Sequence, residues 1–328
     1  MTIISVQHEA MSKAEQNAEK MIRMMMANYD QAQEEIIRKL EAIYGRYLIT
    51  TDPQDYYNIM IQYDRLNKLL LDVQQTYVAL ARKANRTQLL LTTKAMQEVY
   101  YRQQYILQWY TPEGINLSFT MLDKNLVDYT VTGTLDAWNK IPRVKQAQRG
   151  INAYTPQAGT VTDIMVRRDA EHVAAVQRMI TQAFIQGHSI PTIRNNIEDV
   201  FETTAYKAQR IARTEFIRCA NAGAYAAYQD AEAQGLPVKR KWIATLDGRT
   251  RESHAALDGK FCDEEGYWHI GDDKGRYPGN FSKAENVIHC RCSVVDVIDE
   301  GPQLRRAKGS EDFSWRNYEQ WKKQNMEA

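Results

Sequence analysis

Apolar positions in the first third of the chain recur with a helical period. Ile22, Met25, Tyr29, Ala32, Ile36, Leu40 and Ile43 form one stripe, and Ile59, Tyr63, Leu66, Leu70, Val73, Tyr77 and Leu80 form a second. Alternating steps of three and four residues align one face of an α-helix and favour side-by-side helix packing. Asp52–Pro53 separates the stripes, with Pro53 suited to a first helical turn. A third helix is expected over 86–110, stopped by Thr111–Pro112. The seams admit two uses: three helices sharing one core, or an arm that holds partner subunits through Leu66, Leu70 and Val73. The adaptable side chains of Met21, Met24, Met25 and Met26 favour the second. The helical third is therefore expected to be the main attachment arm.

From Pro112 to Val166 the periodicity fades. Gly114, Gly133, Gly150, Gly159, Pro142 and Pro156 punctuate short β-favouring pieces such as Tyr129–Thr132, which predicts an irregular connector over 112–165. Helix returns over 169–186 on the stripe Val173, Val176, Ile180 and Phe184, ends at Gly187, and restarts at Ser189 with Pro191 to reach about Phe201. Residues 204–234 predict one long helix closed by Gly235–Leu236–Pro237. Its small face (Ala208, Ala212, Phe216, Ala220, Ala227, with Gly223 beside it) permits close approach of another backbone. Lys207, Arg210, Thr214 and Arg218 line a different face, read either as phosphate contacts or as a solvated face.

Beyond that helix the period shortens to two. Lys239–Thr245, carrying Trp242, reads as a strand, followed by an Asp247–Gly248 turn and a short helix with Thr250 as its cap and Glu252, Ser253 and His254 inside. Asp258–Gly259 is a second turn. Val287–Ile298 reads as a strand with Ile288, Cys290, Cys292 and Val294 on one face. The expected fold is α+β, mostly α: a helical domain over 1–111, the connector, a long helix with a small antiparallel sheet over 166–299, and a tail over 300–328.

Four phrases in this last part act together: ARTEFIRCANAGAYAAY, KWIATLDGRTRESHAALDGK, the Tyr277–Pro278–Gly279 turn and NVIHCRC. In order and spacing they resemble the Mu F-like phage head-morphogenesis proteins over about Tyr206 to Ile298. The motif positions are Arg213, Thr214, Glu215, Asn221, Trp242, Asp247, Arg249, Thr250, Arg251, His254, Asp258, Gly259, Pro278, Gly279, Cys290, Arg291 and Cys292. The resemblance implies a minor capsid protein present in few copies, associated with the portal vertex during procapsid assembly and aiding DNA packaging or ejection. The portal protein is the implied leading partner, with major capsid or scaffolding protein and non-specifically bound DNA as further ones. The implied location is the virion, and host cytoplasm during assembly. Some relatives resemble a cysteine-rich metal pattern here. In this chain Arg251 and Val287 stand at two of its ligand positions, leaving His254, Cys262, Cys290 and Cys292, and no bound zinc or other cofactor is expected.

Composition narrows the picture further. Forty-two basic and forty-one acidic residues give net charge +1, so DNA binding would need a local patch. Two are candidates for phosphate contact: Lys207, Arg210 and Arg218 on the long helix, and Arg305, Arg306 and Lys308 in the tail. No apolar run is long enough to cross a bilayer, and no membrane partner is expected. Four cysteines are too few for a disulfide scaffold. The tail is too short for an independent enzyme domain and carries Phe313, Trp315, Tyr318 and Trp321, aromatic anchors either for a partner or for the chain's own body. The rival to an assembly protein is a nuclease or transferase using Arg213, Glu215, Asp247 and His254, with Asn286 and His289 completing a metal-nuclease pattern. The chain lacks a glycine-rich phosphate loop and a tight carboxylate cluster, and a non-enzymatic role is expected.

Overall fold

The computed structural model describes residues 3–47, 56–112, 114–154, 161–186, 190–298 and 314–327. Long helices come first: α1 (Ile3–Tyr47) and α2 (Tyr56–Tyr110). Three short ones follow, α3 (Lys124–Thr132), α4 (Leu135–Asn139) and α5 (Arg143–Arg149), and then α6 (Val161–Gln186) and α7 (Ile190–Ala233). The C-terminal part interleaves β1 (Val238–Ile243), α8 (Glu252–Ala255), β2 (Trp268–Ile270), β3 (Asp273–Gly275), α9 (Ala284–Val287) and β4 (Ser293–Ile298), before α10 (Tyr318–Met326). The mostly-α, α+β class expected from the pattern is what the chain adopts. Asp52, Pro53, Gly187, Ser189 and Phe313 lie outside the described residues, as do the basic tail residues Arg305, Arg306 and Lys308. The side chains of Ile43, Ile59, Tyr63 and Phe184 lie outside them too.

Several expected boundaries dissolve into longer helices. No break occurs near Arg86, because the apolar stripe passes without interruption into the tyrosine-rich half of α2. The helices expected before and after 202 are the single helix α7, with Pro191 in its first turn. Tyr129–Thr132, expected extended, is the end of α3. Asp123 caps that helix by accepting from the Asn125 N–H at 2.8 Å, and Gly133 closes it in the left-handed region. Burial of Leu126, Val127, Tyr129 and Val131 along the helix outweighs their β preference. Of the strand expected over Val287–Ile298, only Ser293 onward is extended and paired; Ala284–Val287 is helical, and His289 sits at φ 59° between the two.

The chain forms two compact units. One, the helical unit, comprises Met21–Gln88 and Thr162–Arg210; the other, the composite unit, comprises Met1–Lys20, Leu89–Val161 and Ile211–Ala328. This division does not coincide with the expected boundaries at 111 and 165, and the reason is contact across them. Gln103 bonds the Asp296 carboxylate, the Tyr277 hydroxyl donates to the Ala153 carbonyl at 2.5 Å, and Tyr105 donates to the Ser314 carbonyl at 2.8 Å. The first 110 residues are thus no separate domain.

In the helical unit, Ile22, Met25, Tyr29, Ile36 and Leu40 of α1 are buried, as are Leu69, Val73 and Tyr77 of α2 and Ile193, Ile197 and Phe201 of α7. Val73 is 1% exposed and Leu66 and Leu70 are half-buried, so the residues expected to bind a partner first serve this unit's own packing. Met24 and Leu71 are exposed. His172 stacks on Tyr77 with ring centroids 4.2 Å apart and hydrogen-bonds Thr204.

In the composite unit, α7 is the spine. Ala212, Phe216, Ala220 and Ala227 are buried along it, as expected. Gly223 explains the small face: a Cβ there would lie 2.2 Å from the Met96 carbonyl oxygen of α2. The aromatic tail folds back on its own body, with Trp315, Tyr318 and Trp321 packed around Tyr105, and Trp321 Nε1 donating to Gln108 at 2.9 Å. Strands β1 and β4 pair antiparallel with Trp242 opposite Val294 and Val238 opposite Ile298.

Candidate functional site

The motif residues converge on one small body around Trp242, and most of them hold it together. Trp242, fully buried on β1, packs with Trp268, Phe281, Leu257, Cys290 and Cys292. The Asp258–Gly259 turn fastens the end of β1: Asp258 accepts from the Ala244 N–H at 2.8 Å, and the Gly259 N–H donates to the Trp242 carbonyl at 2.9 Å. Helix α7 is tied to the Cys-Arg-Cys segment by Asn221, whose amide donates to the Cys292 carbonyl at 3.2 Å, and by Thr214, which accepts from the His289 N–H at 3.4 Å. After Pro278, Gly279 brings its backbone onto α7, where a Cβ would meet the Arg218 Cα at 2.8 Å.

The charged motif residues separate into three places. Arg213 forms a two-pronged pair with Glu19 of α1 at 2.9 and 3.1 Å. Glu215 is buried and pairs with Arg218 at 2.8 Å. Asp247 is gripped by Arg291 at 2.5 and 2.6 Å, which holds its carboxyl well below the usual range, and Arg249 extends into solvent beside it. Thr250 does not cap α8; its hydroxyl bonds the Thr245 carbonyl and the Asp247 carboxylate instead. Arg213, Glu215, Asp247 and His254, which the enzymatic reading needs together, are therefore each engaged elsewhere.

The basic stripe on α7 also splits. Lys207 is exposed and Arg210 half-buried, but Arg218 is buried at 3% exposure and donates to the Thr130 carbonyl at 2.7 Å. It is withdrawn as a phosphate contact, and Thr214 with it, because a side chain committed to the interior cannot meet a phosphate. Of the two expected patches, that leaves Lys207 and Arg210 among the described residues; Arg305, Arg306 and Lys308 fall outside them, so the structure neither supports nor removes these three as phosphate contacts.

His254, Cys290 and Cys292 form the one group of metal-ligand type found among the described residues, all three buried and their donor atoms within 4.8 Å of one another. The His254 Nδ1 lies 3.6 Å from the Cys290 sulfur and 3.5 Å from that of Cys292. The Cys290 thiol and His254 draw the Cys292 thiol below the ordinary range, whereas Cys290 is pushed up by its interaction with Cys292 and by burial. Cys262 packs against the same cluster without joining the trio. Arg251 donates to the Ile288 carbonyl, and its positive charge is near enough to Cys290 to oppose the rise of that thiol.

Sequence reading missed three supports. Asp273 accepts from Ser282, Lys283 and Asn286, bracing the loop into α9. Arg240 lies about equally over the rings of Tyr225, Tyr228 and Trp268, at 4.8, 4.8 and 5.1 Å. Arg149 is fully buried against Asp230 at 2.9 Å. None leaves a local signal, since each joins residues distant in sequence.

Comparison with known proteins fits this body. Residues 174–295 match the family described as Phage Mu protein F like protein, starting upstream of the motif block read from sequence. The chain is 28% identical over 278 residues to the minor head protein GP7 of Bacillus phage SPP1, covering 82% of this chain and 81% of that protein. It is 29% identical over 239 residues to an Enterococcus faecalis protein named NAD(+)--arginine ADP-ribosyltransferase EFV, covering 70% of this chain but 44% of that one. An uncharacterized Haemophilus influenzae protein matches at 28% over 47% of this chain and 31% of its own length. The chain thus spans less than half of these last two. No solved structure matches. The similarity to the Phage Mu protein F like family thus lies in residues 174–295.

Proposed function

We propose that this chain is a phage minor head protein that works by assembly, sits at the portal vertex and helps DNA packaging or ejection. The observation that carries the reading is the near end-to-end similarity to a minor head protein, 82% of one chain against 81% of the other. The engagement of Arg213, Glu215, Asp247 and His254 in four separate contacts supports a role without turnover. On this reading the portal protein is the first partner, with major capsid or scaffolding protein and DNA as further ones. No described helix is long and apolar enough to cross a membrane. DNA contact through Lys207 and Arg210 would be indifferent to sequence and steeply salt-dependent.

A mass-spectrometric inventory of purified virions and DNA-free procapsids tests this. The chain is expected in both at low copy and to co-purify with portal protein. Its absence from both particles would overturn the proposal. Presence in procapsids and loss from filled heads would support a packaging role over one in ejection.

A further inference from the structure

The trio inside the Trp242 cluster has a geometry that ordinary hydrogen bonding accounts for poorly. An imidazole Nδ1 has one proton or one lone pair, so it serves one partner well. Here two sulfurs approach the same nitrogen, Cys292 at 3.5 Å and Cys290 at 3.6 Å. A single ion among the three donors would engage all of them. In a tetrahedral site with zinc–sulfur bonds of about 2.3 Å and zinc–nitrogen bonds of about 2.05 Å, sulfur and nitrogen lie about 3.6 Å apart. The observed separations match that edge.

We propose that His254 Nδ1 and the Cys290 and Cys292 sulfurs bind a thiophilic divalent cation, zinc being the ion of that class best suited, with water in the fourth position. The surroundings are arranged for it. The Cys292 N–H points at the Cys290 sulfur at 3.4 Å, a contact that favours the thiolate a metal requires. Two buried thiolates and a divalent cation sum to zero charge, which removes the cost of burying either charge alone. The donors are also held in place beforehand. The His254 N–H bonds the Arg251 carbonyl at 3.0 Å, the Cys290 N–H bonds the Val287 carbonyl at 3.1 Å, and Asn221 grips the Cys292 carbonyl.

The expectation of no metal rests on Arg251 and Val287 occupying ligand positions, but three protein donors and a water complete a tetrahedral shell without either. Two features limit the affinity. One shell position has no protein donor, and the His254 Nε2 has no hydrogen-bond partner among the described residues, so the usual outer support of a metal-bound imidazole is missing. Binding weaker than at a four-ligand structural site is expected.

Cobalt titration of the full chain, stripped with chelator and kept reduced, tests the proposal. Saturation at one ion per chain is expected, with a thiolate-to-cobalt charge-transfer band, the visible bands of tetrahedral cobalt, and displacement of both by zinc. The bands should vanish in Cys290→Ser and Cys292→Ser, weaken in His254→Ala and persist in Cys219→Ser, whose thiol is buried in a different cluster. Far-UV circular dichroism shows whether each variant is folded. Arg251→Cys offers a gain that misfolding cannot imitate: it places a thiol one helical turn before His254, and affinity should rise about tenfold or more. Absence of a thiolate–cobalt band in the wild type, its survival in either cysteine variant, or unchanged affinity in Arg251→Cys would overturn the site.

Discussion

The helical unit and the composite unit hold their interiors by different means. In the helical unit, repeated apolar stripes on α1, α2, α6 and α7 supply most of the interior, and three of the buried polar residues, His172, Arg168 and Thr204, form one patch around Tyr77. In the composite unit, short elements are joined by many single contacts: Arg149 to Asp230, Asn221 to Cys292, Gly223 to Met96 and Gln103 to Asp296. A stripe distributes stability over many similar residues, so losing one is tolerated. A body built from one-of-a-kind contacts concentrates it. All six tryptophans (Trp109, Trp138, Trp242, Trp268, Trp315 and Trp321) lie in the composite unit's segments, so tryptophan fluorescence follows that unit and far-UV circular dichroism follows both.

The largest effect is expected from Arg149→Leu. The Arg149 guanidinium is fully buried and donates to both Asp230 oxygens at 2.9 and 3.1 Å, while the Tyr100 hydroxyl reaches the same carboxylate at 2.5 Å. Removing the cation strands a buried carboxylate, at a cost of about 3–5 kcal/mol. Urea denaturation followed by tryptophan fluorescence should show a midpoint far below the wild type. Adding Asp230→Leu should recover part of the loss. A single variant within about 1 kcal/mol of the wild type would mean that contacts are not concentrated as argued.

Acidity should separate the units next, because one buried group in each, His172 and Asp296, acts on stability in opposite senses. Burial, aided by the nearby charges of Arg168 and Lys207, lowers His172 from 6.5 to about 3. Below the unfolded value the unfolded chain takes up a proton that the folded chain refuses. The helical unit therefore loses stability as the pH falls from about 6.5 towards 3, by up to about 1.4 kcal/mol per pH unit. Burial raises Asp296 to about 7, against the opposing influence of Gln103 and Arg240. Its folded form keeps a proton that the unfolded form releases, so the composite unit loses stability as the pH rises from about 4 to 7, at the same limiting slope. Asp296→Asn should reduce the slope of the fluorescence-detected profile over that range, and Glu15, which burial also raises to about 7 in this unit, supplies the slope that remains. His172→Asn should flatten only the part of the dichroism profile that fluorescence does not share. Identical pH profiles by the two probes would remove the distinction.

A smaller cost, about 1–3 kcal/mol, is expected for Gly223→Ala, whose new methyl would press on the Met96 carbonyl rather than on a side chain able to move. A truncation in the helical unit, Val73→Ala, which removes two carbons, should fall near the low end of the range for core truncation, about 2 kcal/mol or less, because neighbouring stripe residues remain. Thermal denaturation of both variants compares them directly.

These contrasts also explain what can be read from sequence. The stripes of α1, α2 and α6 are visible because a helical period repeats locally, and Val73, Tyr77, Val176 and Ile180 are buried as that period requires. The long small-residue face of α7 is visible for the same reason, and Gly223 answers to it. Hidden are the contacts that join distant segments: no local pattern announces that Gln103 meets Asp296, or that Arg218 turns inward to Thr130. Composition misleads at Tyr129–Thr132, where β-branched residues form the end of a capped helix, and at Val287, where the strand begins six residues later at Ser293. Of the candidate site, the positions of His254, Cys290 and Cys292 are legible, but their convergence on one nitrogen is not, since it depends on how α8 and the turn before β4 pack.

The smallest stability effect should come from the most conspicuous motif residue. Of Arg213, Thr214 and Glu215, the last two are buried and bonded within the composite unit, whereas the Arg213 side chain is 43% exposed and its partner Glu19 42%. A pair that open to water is worth about 0–1 kcal/mol, so Arg213→Ala should shift the melting temperature little. Two outcomes then differ sharply in meaning. If the variant melts like the wild type and enters procapsids normally, Arg213 is an ordinary surface ion pair. If it melts like the wild type but is lost from procapsids, its guanidinium meets a partner in the assembled head, and the composite unit supplies an attachment surface of its own. That result would move the expected docking role from the stripe of α2, where Val73 is already buried, to the exposed edge of α7 beside α1.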